Sequence, residues 1–229
     1  MEAKVILALD FDRIDDVWYL RDQLGEADQH LAYLKVGHQL ELAVGLKVAI
    51  RELATWRKPI FVDRKLTDID ATMSEALRLI KSYGAAAVSV MKLSPPCPRL
   101  KRWLVVELSD NVFDSDAFRS LEWAYTMADE TVHCDGLIIP GALLSRATTS
   151  IVRDSRHRRN FPVIASGIRP AWFKDERHTS SVTPAAALDA GANFVVIGRP
   201  ITKPPAKVGT PRDALLRLAE EIETVTASC

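Results

Sequence analysis

Between positions 59 and 72 the chain reads PIFVDRKLTDIDAT: an apolar run ends in Asp63, Arg64 and Lys65, and Asp68 follows three residues on. Side chains alternate between the two faces of a strand, so a strand reaching Leu66 presents Asp63 and Lys65 together and Arg64 on the opposite face. A carboxylate and an ammonium then project side by side. In water such a pair contributes about 0–1 kcal/mol, and a solvated strand end accounts for it. Held in a cavity instead, the same pair is costly to desolvate, which marks that strand face as a functional candidate.

The surrounding elements decide between these two. Apolar runs at Val5–Asp10, Ala32–Gly37, Ile60–Leu66, Ala85–Met91, Leu104–Ser109, Gly136–Pro140, Pro162–Gly167 and Phe194–Pro200 have the length and composition of buried strands. Segments with helical apolar spacing alternate with them: Asp15–Leu24, Leu40–Trp56, Ala71–Tyr83 closed by Gly84, Ala117–Glu130, Leu143–Arg158, Thr183–Ala190 and Arg212–Val225. Thr183 is the expected cap of its helix, with Pro184 in the first turn. One unit is irregular. The SPPCP run at Ser94–Pro98 cannot lie inside a helix, so the fourth helix is predicted to be vestigial, leaving a short basic segment, Arg99–Trp103, before strand five.

Eight β-then-α units in 229 residues, 48% of them hydrophobic, predict an α/β fold: a closed (β/α)8 TIM barrel forming a single domain over residues 1–229. An open doubly wound sheet would carry a glycine-rich loop after strand one, where this chain reads ALDFDRID. The polar segment Ile168–Val182 is long for a barrel connection and is expected to be functional.

In a barrel the chemistry sits at the C-terminal ends of the strands. Those ends carry Asp10, Lys35, Asp63, Lys65, Asp68, Ser109, Gly167, Arg169, Gly198 and Arg199. Opposite charges about 4 Å apart attract by roughly 4 kcal/mol at an effective dielectric near 20, so alternating lysines and carboxylates hold one another ionised and in register. Gly167 and the Gly198–Arg199 pair fall where barrels bind phosphate through backbone N–H groups, an arginine adding charge-assisted hydrogen bonds. The alternative for Arg199 is a surface arginine that closes a strand.

Composition narrows the partners. The 30 basic and 30 acidic residues cancel, leaving no global field to attract nucleic acid or an anionic membrane. Cys97, Cys134 and Cys229 are widely spaced and form no CxxC pair, which speaks against a disulfide framework or a zinc site and for a reducing, cytoplasmic setting. Cys97 and Cys134 are expected to be inert buried thiols. Met1 leads directly into VILALD without the basic and apolar regions of an export signal, and no stretch approaches the ~18 apolar residues of a membrane span. His38 follows strand two but has no second histidine or cysteine at ligand spacing, so no metal site is expected. Trp18, Trp56, Trp103 and Trp123 fall in or at the ends of predicted helices and are expected to pack.

Taken together, these blocks resemble the orotidine 5′-phosphate decarboxylase family. The likeness runs from LALD at Leu7–Asp10 through LKVG at Leu34–Gly37 and the D-x-K-x-x-D-I signature at Asp63–Ile69. It continues in SGIRP at Ser166–Pro170, TPAAAL at Thr183–Leu188 and GANFVVIGRPIT at Gly191–Thr202. DxKxxD alone marks a wider suite of decarboxylases and sugar-phosphate aldolases; joined to Ile69 and the two later blocks it is specific.

The resemblance implies decarboxylation of orotidine 5′-monophosphate to UMP and CO2 in pyrimidine biosynthesis, with neither metal nor organic cofactor. It implies that Lys65 protonates the carbon that loses CO2, that Asp63 crowds the departing carboxylate and helps hold Lys65, and that Lys35 and Asp68 complete the network. Asp10 and Lys35 would hold ribose hydroxyls, Ser109 the pyrimidine edge, and Arg199 with Gly167 and Gly198 the phosphate. In a homodimer Asp68 and Thr72 would reach into the partner's site, with Ile69 among the substrate-binding residues. The likeness departs after Pro170, where members commonly carry a glutamine and this chain has Ala171 and Trp172; Arg177 and His178 are the candidates for that phosphate contact. Two rival readings share parts of the pattern: a sister enzyme acting on a keto-sugar phosphate through a metal-bound enediolate, and a non-catalytic nucleotide-binding relative.

Overall fold

The computed structural model describes residues 3–106, 134–144, 162–174 and 182–226. Eight strands close into a barrel in chain order: β1 (Val5–Leu9), β2 (Leu31–Val36), β3 (Ile60–Leu66), β4 (Ala87–Val90), β5 (Lys101–Val105), β6 (Gly136–Pro140), β7 (Val163–Ser166) and β8 (Phe194–Ile197). Every neighbouring pair is parallel, β8 with β1 included. The helices around them include α1 (Ile14–Leu24), α2 (His38–Val44), α3 (Leu46–Leu53), α4 (Asp70–Ser82), α5 (Pro184–Asp189), α6 (Arg199–Thr202) and α7 (Pro211–Thr226). This is the expected (β/α)8 architecture. Among the described residues no helix is long and apolar enough to cross a membrane.

Strand alternation sorts the apolar residues into two layers. Leu7, Leu34, Val62, Leu104 and Leu137 belong to the large layer that packs under the helices. Ile6, Tyr33, Phe61, Trp103, Ile138 and Ile164 form a second cluster inside the barrel. Full burial of each such side chain contributes about 1.5–3 kcal/mol. Trp103 is the centre of the inner cluster, with ring centroids 5.1 Å from Tyr33 and 4.6 Å from Phe61.

Three elements differ from expectation, each for a local reason. Strand five is Lys101–Val105 rather than Leu104–Ser109, so Trp103 lies in a strand and not at a helix end. Its two leading basic residues masked it in the sequence. Both have partners within the barrel: the exposed Lys101 donates from Nζ to Tyr33 Oη at 3.1 Å, and buried Arg102 pairs with Asp135 at 2.9 Å and donates to the Ser94 carbonyl at 2.8 Å. The single helix expected over Leu40–Trp56 is two helices and a 3-10 turn, broken at Gly45, whose φ of +81° only glycine adopts readily. That break leaves Leu42 exposed, whereas Leu40, Ile50 and Leu53 are buried. Strand eight stops at Ile197, and Arg199–Pro200 opens the one-turn helix α6 instead of ending a strand.

Trp56 packs as expected, but Trp18, expected to pack, is 42% exposed on α1. No helix lies between β4 and β5, and Thr183 caps α5 by accepting the Ala186 N–H, with Pro184 in the first turn. Cys97 and Cys134 are free thiols; Cys134 is buried as expected, whereas Cys97 is partly exposed, contrary to expectation. The helix expected over Ala117–Glu130, Trp123, Cys229 and most of Leu143–Arg158 lie outside the described residues.

Candidate active site

The inward register that packs the barrel floor also supplies the polar site one step further up each strand. Two residues beyond Tyr33 comes Lys35, beyond Phe61 comes Asp63, beyond Ala87 comes Ser89, and beyond Ile164 comes Ser166. Lys35, Asp63 and Ser166 open into a cavity of about 290 Å³ lined also by Asp10, Lys65, Gly167, Arg169, Gly198 and Arg199, whereas Ser89 is fully buried and does not line it. Eight of the residues singled out from sequence therefore meet in one place: Asp10, Lys35, Asp63, Lys65, Gly167, Arg169, Gly198 and Arg199.

One side of the cavity is a chain of alternating charges. The Lys35 ammonium lies 3.4 Å from Asp10 Oδ1 and 3.4 Å from Asp63 Oδ2, and the Lys65 ammonium lies 3.0 Å from Asp63 Oδ1. Burial on its own pushes the Lys35 ammonium toward deprotonation. The Asp63 and Asp10 carboxylates outweigh it and hold its pKa above the ordinary lysine value. Burial likewise pushes Asp63 up, but Lys35, Lys65 and hydrogen bonds from Lys65 and Ser89 hold its carboxyl below the usual range. Both groups are thus ionised at neutral pH. Among the described residues no three His, Cys, Asp or Glu side chains are gathered as a metal would require; the cation between Asp10 and Asp63 is the Lys35 ammonium.

Ser89 was not singled out by sequence reasoning. Its hydroxyl donates to Asp63 Oδ1 at 2.9 Å and accepts the Lys65 N–H at 2.8 Å. The available signal was a lone hydroxyl in the run AAAVSV, at the strand position whose neighbours on the same face turn inward.

The same cavity is lined by Arg169, Arg199 and two glycines, Gly198 lying beside Asp10. Gly167 takes φ +69°, and the chain beyond it is pinned by an Ile168–Val182 bridge and an Arg169 N–H to Val182 carbonyl bond of 3.0 Å. Trp172 packs against the outer core, with the Arg217 guanidinium 5.5 Å from its ring centre, so it roots the segment on α7. Ser109, Arg177 and His178 lie outside the described residues. His38 is the exposed first residue of α2 and does not line the cavity.

Asp68, Ile69 and Thr72 stand apart from the charge chain. The Asp68 carboxylate accepts the Ile69 N–H at 2.7 Å and, with Thr72, lines a separate groove of about 870 Å³ between α2, α3 and α4. Lys65 lines both the cavity and the groove. Arg64, on the opposite face of β3 as expected, pairs with Glu41 at the groove edge.

The profile of the orotidine 5′-phosphate decarboxylase / HUMPS family matches residues 3–96, which include β1 to β4 and the charge chain. The orotidine 5′-phosphate decarboxylase of Methylobacterium sp. (strain 4-46) is 30% identical over 240 residues, covering 96% of this chain and 95% of its own. That of Methylorubrum populi is 30% identical over 232 residues, covering 97% and 96%. The crystal structure of orotidine 5′-phosphate decarboxylase from Pyrococcus horikoshii OT3 superposes with a TM-score of 0.72 at 23% identity, over 96% of this chain and 99% of that one, and shows the same fold. A match at this identity over 96–97% of the chain, with Asp63 and Lys65 of the signature gathered at the strand ends, leads to one conclusion: the chain belongs to the orotidine 5′-phosphate decarboxylase family.

Proposed function

We propose that this chain decarboxylates orotidine 5′-monophosphate to UMP and CO2 in pyrimidine biosynthesis. The observation that carries the proposal is the chain Asp10–Lys35–Asp63–Lys65 sharing one cavity with Arg169 and Arg199. The arginines and the Gly167 and Gly198 backbone take the phosphate, and Asp10 and Lys35 take the ribose hydroxyls. The bond to CO2 breaks with its electron pair left on the ring carbon. Lys65 stabilises that charge as it develops and donates the proton that replaces CO2, so atoms and electrons balance without an oxidant or reductant. Asp63 crowds the departing carboxylate and fixes Lys65. Phosphate is remote from this step, and its binding energy offsets the cost of desolvating the charges. On the family resemblance Ser109 is assigned to the pyrimidine edge, and Arg177 or His178 to a further phosphate contact.

The catalytic unit in this proposal is a homodimer in which Asp68 and Thr72 enter the neighbouring site, with Ile69 beside the substrate. In support, Leu42 is 85% exposed and Ile69 69% exposed around the groove that Asp68 lines, an apolar surface suited to a second copy. In a chelating buffer the purified protein is expected to consume orotidine 5′-monophosphate, read as loss of its absorbance, with one CO2 released per UMP. Absence of turnover with and without chelator would overturn the proposal.

Gly37 offers a sharper check on the ribose end. Its φ of −98° suits any residue, so alanine meets no backbone strain there. The added Cβ would lie 2.9 Å from Asp10 Oδ1 and 3.2 Å from Lys35 Nζ, both ends of flexible side chains. Gly37→Ala is therefore expected to shift the melting temperature by no more than about 3 °C. It should lower kcat/KM by about 10-fold or more, because the pair must move from its position. Unchanged kcat/KM would show that the Asp10–Lys35 geometry is not limiting.

A further inference from the structure

Lys65 is in the left-handed region at φ +54°, a conformation that side chains other than glycine rarely take. Among the described residues the other non-glycine positions with positive φ, Arg57 and Arg99, do not line the cavity. The strain arises where β3 leaves β4: Val62 pairs with Val88 and Leu66 with Val90, so three residues of β3 stand opposite one of β4. That one residue is Ser89.

Its hydroxyl closes a ring. The Lys65 N–H, displaced from the ladder, donates to Ser89 Oγ at 2.8 Å; Ser89 Oγ donates its single proton to Asp63 Oδ1 at 2.9 Å; and the Lys65 ammonium returns to the same Oδ1 at 3.0 Å. Ser89 has no exposed surface, so bulk water cannot take over either bond. Without the hydroxyl the Lys65 N–H and one lone pair of Asp63 both lose a partner, and the left-handed turn loses the bond that holds it.

We propose that Ser89 is the positioning residue of this site: its hydroxyl locks the left-handed turn at Lys65 to the Asp63 carboxylate and so aims the Lys65 ammonium into the cavity. The inference rests on Lys65 being the proton donor. Ser89→Ala removes both hydrogen bonds, while Ser89→Thr retains a hydroxyl.

Ser89→Ala is expected to lower kcat by about 10- to 100-fold, as a misplacement on the order of 1 Å does. UMP affinity should stay within about threefold, since phosphate and ribose contacts lie elsewhere in the cavity. Ser89→Thr should recover most of the loss, and Ser89→Cys, nearly isosteric with a weaker donor, should fall between the two. A crystal structure of Ser89→Ala should show Lys65 out of the left-handed region with its ammonium moved from Asp63, a readout that needs no turnover. A wild-type kcat in Ser89→Ala, or an unmoved Lys65 in its structure, would overturn the positioning role. Absence of turnover in the wild-type protein, with Lys65 displaced in the variant structure, would instead overturn the decarboxylase assignment and leave the structural lock in place.

Discussion

Lys65→Ala is expected to lower kcat by about 10⁴-fold or more. Removing a preorganised electrostatic stabiliser costs about 10²–10³ in rate, and removing a general acid about 10²–10⁴; in the proposed mechanism one ammonium serves both purposes. Folding should tolerate the loss. Asp63 would keep its contact with Lys35 at 3.4 Å and the Ser89 hydroxyl at 2.9 Å, so no carboxylate is stranded in the barrel. Lys65 itself is about one-third exposed, at 32% of its side chain, and gives up little packing. UMP binding, dominated by the phosphate and ribose ends, should change far less than kcat. Lys65→Arg is not expected to rescue, because a planar guanidinium cannot replace a compact ammonium and holds its proton too tightly to deliver it. Steady-state and single-turnover rates check this directly, and a kcat within tenfold of wild type would remove Lys65 from the proton-donor role.

The site was legible because barrel chemistry and barrel packing share one register. Once Tyr33 and Phe61 are inward, Lys35 and Asp63 must be inward too, and strand periodicity suffices to place them. Lys65 is a different case. It meets Asp63 as alternation suggests, but through a left-handed turn at a break in β3–β4 pairing, a feature that propensity does not reveal in a lysine. Ser89 is its complement, conspicuous only after the register of β4 is known. Strand five was misplaced because Lys101 and Arg102 look solvated in sequence, while their partners Tyr33, Asp135 and Ser94 come from distant positions or from loops. The break at Gly45 escaped notice because apolar spacing continues through it.

A hybrid dimer joining one Lys65→Ala subunit to one Asp68→Ala subunit is expected to recover about half of wild-type activity, although each parent homodimer is nearly inactive. Within one chain, Asp68 does not reach the series Asp10–Lys35–Asp63–Lys65; its carboxylate faces the groove it shares with Thr72, on the side where Leu42 and Ile69 are exposed. A second copy seated on that groove would bring each Asp68 toward the other subunit's Lys65, which lines cavity and groove alike. In the hybrid, one site then carries both lesions and the other carries none. Co-expression with two different tags and purification through both isolates the hybrid from its parents. If Asp68 served the site of its own chain, each site would hold one lesion and the hybrid would stay as inactive as its parents. That result, or a protein that remains monomeric at assay concentrations, would overturn the shared-site arrangement, and with it the role of the Asp68–Thr72 segment as the part of β3's extension lent to a neighbour.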